Sequence, residues 1–237
     1  MEIPTVLVLV IAALVVVVVG VMVFAGSAAE RHRSRALSAW AERRGWRYDR
    51  ERPELVDRFH GAPFLERGSD ARARHVLCAE WRGRRVVACE YGCTAAHLHG
   101  RDRTAPYVYT VVVVTLPEAV PLLQVEPVRG SPDTPSPPTG AHPWVSGQEE
   151  FDACFRVATV GDAFAGTVLA EGTRTWLLSR QGFAPFCFPF RFAGQYLLSW
   201  ERGRLDTGRV QARADAVIDL LERIPTGVWE GTQDSVG

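Results

Sequence analysis

The chain has no lysine anywhere in its 237 residues; every basic side chain is arginine or histidine. That absence excludes chemistry. A phosphate loop of the Walker type, a protein-kinase ATP site of the usual kind and a Schiff-base enzyme each need a lysine amine. Net charge is also lacking: 27 basic and 27 acidic residues cancel. A neutral chain has no electrostatic footprint for nucleic acid. The sequence contains no G-x-S-x-G, no H-E-x-x-H and no G-x-G, so the common hydrolase, zinc-protease and dinucleotide fingerprints are missing. Cysteine is scarce and odd in number: Cys78, Cys89, Cys93, Cys154 and Cys187. An exported protein would leave one thiol over, so free thiols in a reducing compartment are the expectation.

What is present is one long apolar run. Thr5 to Ala25 reads TVLVLVIAALVVVVVGVMVFA and carries no charge. As a helix it spans about 30 Å, the thickness of a bilayer core. Pro4 suits the first turn of such a helix. Lipid leaves the backbone no other way to satisfy its polar groups, which overrides the poor helix propensity of valine. Only Glu2 is charged before the run, whereas Arg31, Arg33, Arg35, Arg43, Arg44 and Arg47 follow it, opposed by Glu30 and Glu42. The arginine side is expected to be cytoplasmic, with the N-terminus outside. The competing reading is a signal peptide cleaved near Ala25-Gly-Ser27 or Ser27-Ala-Ala29. It would make the protein an exported envelope component. A missing basic n-region and the length of the run argue against it.

The expected organisation is a tail at 1–4, a membrane helix at 5–26, a juxtamembrane helix at 27–45, one domain at 46–229 and a tail at 230–237. Leu37, Trp40, Ala41 and Arg44 share a helical face, and Gly45 is a stop. A break or bend is expected near Gly26-Ser27. Glu54 to Phe59 suits one or two helical turns. Ala73 to Trp81 and Arg84 to Tyr91 predict a hairpin around Arg82-Gly83. A two-residue turn there sets Cys78 opposite Val87, with Cys78, Val87, Cys89 and Tyr91 on one face. Cys78 and Cys89 then lie diagonally, about 7–8 Å apart and badly placed for a disulfide.

Tyr107 to Leu116 is a β-branched run that predicts a strand covered on both faces, ended by Pro117. A short strand follows at Val120 to Val125. Residues 127–143 hold six prolines and two glycines and read as a solvated loop. Its two overlapping P-x-x-P motifs (Pro132 to Pro135, Pro135 to Pro138) would suit a proline-reading partner. Phe151 to Val157 alternates as a strand. Ala163 to Leu178 predicts two short helices broken at Gly172. Phe186 to Phe192 and Gln195 to Trp200 predict a second hairpin around Ala193-Gly194. Val210, Ala214, Val217, Leu221 and Ile224 form the apolar stripe of a last helix, capped by Asp206 or Thr207 and ended by Pro225. This element order implies an α+β fold: a transmembrane helix, a mainly antiparallel sheet and a C-terminal helix.

One cluster suggests a metal site: Cys89-x-x-x-Cys93-x-x-x-His97-x-His99, with zinc as the candidate ion. It lacks a paired C-x-x-C, and Cys89 falls on a core position of its strand. A Cys–His nucleophile drawn from it would have no orienting third group. Glu149, Glu150 and Asp152 read as a solvated edge rather than paired catalytic carboxylates.

Several local patterns carry a resemblance. They are Trp40-Ala-x-x-x-Gly45-Trp46-x-Tyr48, Arg58-Phe-x-Gly61-x-Pro63-Phe64, Arg84-x-Val86 through Tyr91, Phe151-Asp152-x-x-Phe155-x-Val157 and Leu197-Leu198-x-Trp200. With the anchor, they resemble a group of uncharacterised single-pass membrane proteins of GC-rich bacteria, a domain of unknown function sometimes labelled secreted. The resemblance spans about 36–226. It implies fold and anchoring and carries no catalytic residue over. The functional expectation is a membrane-anchored interaction or regulatory module. Its partners would be the bilayer through Thr5 to Ala25 and an unidentified protein, without nucleic acid. The alternatives are a metal-binding protein or metal-dependent enzyme, and an exported envelope protein.

Overall fold

The computed structural model describes residues 3–59, 64, 68–95, 105–128, 139–180 and 188–229. Its first element, α1 (Ile3–Arg44), is one helix of 42 residues. At 1.5 Å per residue it is about 63 Å long. The expected break at Gly26-Ser27 does not occur. A helical glycine costs only about 1 kcal/mol, less than the hydrogen bonds a break would forfeit. The helix ends in a Schellman motif: Gly45 takes φ +71°, its N–H donates to Glu42 O, and Trp46 N–H donates to Ala41 O. The accompanying apolar contact is Trp40 against Trp46, with ring centroids 5.8 Å apart.

The two parts of α1 have different surroundings. Every large apolar side chain from Val8 to Phe24 is exposed, Val16 and Met22 to 70%. An 18-residue window there has mean hydropathy 3.3 and is 0% buried. Further on, Leu37 and Ala41 are buried against the domain.

The domain is built on an antiparallel sheet of seven strands among the described residues: β1 (Arg47–Glu51), β2 (Gly68–Trp81), β3 (Arg84–Ala95), β4 (Ala105–Pro127), β5 (His142–Trp144), β6 (Phe155–Thr159) and β7 (Phe190–Arg202). The β2–β3 hairpin turns on Arg82 (φ +49°) and Gly83 (φ +72°), a left-handed pair that matches the twist of the strands. Cys78 faces Val87, as the two-residue turn requires.

β4 is the spine. Its first half pairs with β3, its last five residues with β6, and β7 runs along its other edge. Val112 and Val114 enter one core, Val111 and Val113 the other, so the β-branched run is covered on both faces. The first core lies under α1 and α5 (Thr207–Leu221); the second lies under Leu55, Phe59 and Phe64. Asp206 caps α5 by accepting from Arg209 N–H, and the stripe Val210, Ala214, Val217, Leu221 and Ile224 is buried.

Four expectations give way here. Pro117 does not end β4, which continues to Pro127. Between Thr115 and Leu123, eight steps on β4 face only four on β7, from Tyr196 to Phe192. The extra residues bulge out, and Pro117 and Pro121 sit in that irregular stretch, where a ladder N–H is not needed. The second expected hairpin is a single strand, β7, and Gly194 (φ +55°) marks a bend within it. Residues 149–154 form a helix, α2 (Glu149–Cys154), and only Phe155–Thr159 is strand. The helices α3 (Asp162–Val168) and α4 (Glu171–Ser179) are separated at Leu169-Ala170, with Gly172 inside α4.

Candidate functional site

The helix α1 meets the sheet through a stripe at helical spacing: Glu30, Arg33, Leu37 and Ala41. The apolar end of the stripe sits at the tip of the first hairpin, where Trp40, Trp46 and Trp81 pack in sequence as tilted rings with centroids 5.8 and 6.1 Å apart. The polar end is a set of part-buried bonds. Arg33 Nη2 donates to Glu90 Oε2 (2.6 Å) and to Leu205 O (2.9 Å). Leu205 N–H donates to the same carboxylate at 3.2 Å. The Glu90 side chain is 13% exposed and that of Arg33 26%, so this ion pair is shielded better than a surface pair.

One turn closer to the apolar run, Glu30 Oε1 lies 2.9 Å from His75 Nε2. His75 Nδ1 lies 2.9 Å from Tyr48 Oη, and the two rings stack at 6.2 Å. A neutral ring protonated on Nε2 satisfies both contacts: it donates to Glu30 and accepts from the Tyr48 hydroxyl. Burial holds the His75 pKa below the usual imidazole range, against the opposing pull of Glu30 and Glu90. A β-bulge puts His75 there. Between Arg74 and Leu77 the register with β3 shifts by one residue, and His75 takes φ +50°.

Beyond these bonds the sheet holds a cavity of about 210 Å³ lined by Asp70, Arg72, Arg74, Glu90, Gly92 and Tyr107, among others. Arg72 pairs with Gly92 and Arg74 with Glu90 across β2 and β3, on the sheet face that α1 covers. Both arginines are exposed. Neither makes a hydrogen bond or ion pair among the described residues.

A second polar group lies where the sheet bends. Arg191 is 1% exposed, and its Nε and Nη1 have no hydrogen-bond partner among the described residues. Its guanidinium sits over the Trp200 ring at 5.7 Å. Nine positions of straight strand would separate these two by about 30 Å, so the bend in β7 brings them together. Gln124 Nε2 donates to buried Glu126 at 2.8 Å. Burial pushes the Glu126 carboxyl up and pulls the Arg191 guanidinium down to about 10.

Of the four candidate metal ligands, His97 and His99 lie outside the described residues. Cys89 and Cys93 are buried on one face of β3, in unbroken register with β4. Four residues of strand set them about 13 Å apart, further than two ligands of one zinc ion stand. Burial pushes the Cys89 thiol up to about 12 and raises that of Cys93, so at neutral pH both are protonated and poor nucleophiles. Among the described residues no group of three or more His, Cys, Asp or Glu side chains is placed to hold a metal ion. Cys78, Cys89, Cys93 and Cys154 are free thiols. Glu149 and Glu150 are exposed on the first turn of α2, and Asp152 accepts from Ser146 N–H and Gly147 N–H, which makes it a loop clamp.

Sequence reasoning missed Glu30, Arg33, His75 and Glu90 as a group. They belong to three elements, and a bulge that no local motif announces brings His75 into line.

The fold and this junction define an α+β domain carried on a single apolar helix. The crystal structure of the mycobacterial trehalose monomycolate transport factor A, TtfA, is similar, with a TM-score of 0.56 at 14% identity over 81% of this chain and 96% of that one. At that identity the likeness is one of fold. No protein-family model matches the chain, and no curated protein matches it in sequence.

Proposed function

We propose that the protein is a membrane-anchored accessory factor that serves the transport of an envelope lipid, acting by binding and positioning rather than by catalysis. The observation that carries this reading is the unbroken helix α1, which joins a fully exposed apolar run to a domain with the fold of a lipid-transport factor. In this reading residues 5–26 span the bilayer, 27–45 form the juxtamembrane part of the same helix, and 46–229 are the working domain between short tails. The arginines after the run favour a cytoplasmic domain. Free thiols at four described cysteines agree with a reducing compartment.

The test is genetic and chemical. Cells lacking the protein are expected to retain a labelled envelope lipid in the inner membrane. The full chain should restore its distribution, and a chain carrying Val15→Arg should not. An unchanged lipid distribution in the deletion strain would overturn the reading. A compartment-sensitive reporter fused after Gly237 tests orientation separately; activity only outside would place the domain on the far side.

A further inference from the structure

We propose that the cavity beside the anchor binds the anionic headgroup of a phospholipid in the membrane that holds α1, with Arg72 and Arg74 as the phosphate-binding groups.

Orientation comes first. Traced back from its C-terminal end at the hairpin tip, α1 passes Glu90 through Arg33, then His75 through Glu30, and then leaves the domain toward its apolar run. The same direction along the sheet leads from the tip to the opposite end: the start of β2, the end of β3, the start of β4 and the end of β7. The polar bonds at Glu30 and Arg33 are held to the sheet within about 8–12 Å of Ala25, counted along the helix. The headgroup layer is about 6 Å deep on each side of the bilayer core. The end of the sheet that carries the cavity therefore lies at headgroup level, beside the helix.

The chemistry follows. Two exposed arginines, free of ion pairs among the described residues, face that layer. Arg74 stands across from Glu51 on β1 and from Glu90 on β3, and bonds to neither. Glu90 is already neutralised by Arg33. Gly92 leaves the floor open, since a Cβ there would meet only Tyr107 O at 3.7 Å. Asp70 is the opposing charge and moderates affinity. Arginine binds phosphate through two parallel N–H donors, and a membrane surface adds counter-charge at close range.

The proposal rests on insertion of residues 5–26, so the experiment reads both. Full-length protein is reconstituted in vesicles of phosphatidylcholine alone or with phosphatidylglycerol. Flotation reports insertion, and native mass spectrometry of the extracted protein reports retained phosphatidylglycerol. The expected result is flotation in both vesicles and selective retention of phosphatidylglycerol. Each arginine is worth roughly fivefold at a membrane surface, so R72Q/R74Q is expected to reduce retention roughly 30-fold. Asp70→Asn, which tolerates the positive φ of that position, is expected to increase retention. R84Q/R85Q, at the far end of the same hairpin, is expected to change nothing. Unchanged retention in R72Q/R74Q, or an equal loss in R84Q/R85Q, would overturn the site while leaving the anchor intact. Displacement of the lipid by millimolar inorganic phosphate would also overturn it, in favour of a soluble-phosphate site. Failure of the wild-type chain to float would overturn the anchor and the site together.

Discussion

The two halves of α1 share a backbone and nothing else. From Val8 to Phe24 the helix is apolar on every side and is packed against none of the other described residues. From Glu30 to Arg44 it is polar on most sides and buries one stripe against the sheet. A helix apolar all round needs lipid or protein on every face, whereas one with a single stripe needs a partner on only one. In the proposed reading two solvents act on one rod, and the rod's stiffness would fix the domain to the membrane. The bonds at Glu30 and Arg33 lie where the one environment gives way to the other.

Trp46→Ala should have the largest effect on the lower half. Trp46 is 4% exposed and packs between Trp40 and Trp81. Its loss should cost about 3–5 kcal/mol of domain stability in urea denaturation of the full chain in detergent. A comparable loss from Val15→Ala would break the contrast between the halves. Val15→Arg tests the upper half. A charge at the centre of a bilayer costs about 3 kcal/mol, so flotation with vesicles should fall roughly 100-fold while the domain's unfolding midpoint stays put.

Arg33→Ala probes the boundary. It leaves the Glu90 carboxylate without its cation in a shielded place. Discounted for partial exposure, the loss should be about 1–2 kcal/mol in the same denaturation experiment. An unchanged midpoint would mean that the helix is held by its apolar stripe alone.

The smallest effect is a pH dependence. The His75 pKa is depressed in the folded state, so the unfolded chain takes up the proton first as pH falls. The stability that His75 contributes is present above its unfolded value of about 6.5 and is lost as pH falls below that toward the folded pKa. His75→Asn suits the positive φ and should flatten the pH profile just below about 6.5. An unaltered profile would assign that slope to other groups.

Some of this was legible in the residues. The hairpin register was, because Arg82-Gly83 permits only a tight turn and the alternation on each side then follows. So was the terminal helix, whose stripe and Asp206 cap are local signals. β1 was not, because Arg47–Glu51 has almost no apolar pattern; it is a strand because β2 offers it an edge. The length of β4 was hidden by Pro117 and Pro121, which break a strand in isolation but are accommodated in a bulge. The metal-type spacing at Cys89 and Cys93 lost its proximity once β3 was extended. The cavity was invisible, since Arg72, Gly92 and Tyr107 come from three strands.

By itself, then, the sequence determined the apolar run of α1, the two-sided valine strand and the packing stripe of α5. All are periodic patterns whose meaning depends only on what solvent or core they must meet. Tertiary structure decided the rest. It carried α1 unbroken into the domain, bent β4 and β7 so that Arg191 reaches Trp200, and used a one-residue bulge to turn His75 toward Glu30. These outcomes depend on where distant segments pack, and packing is settled by the sum of many contacts rather than by any local run.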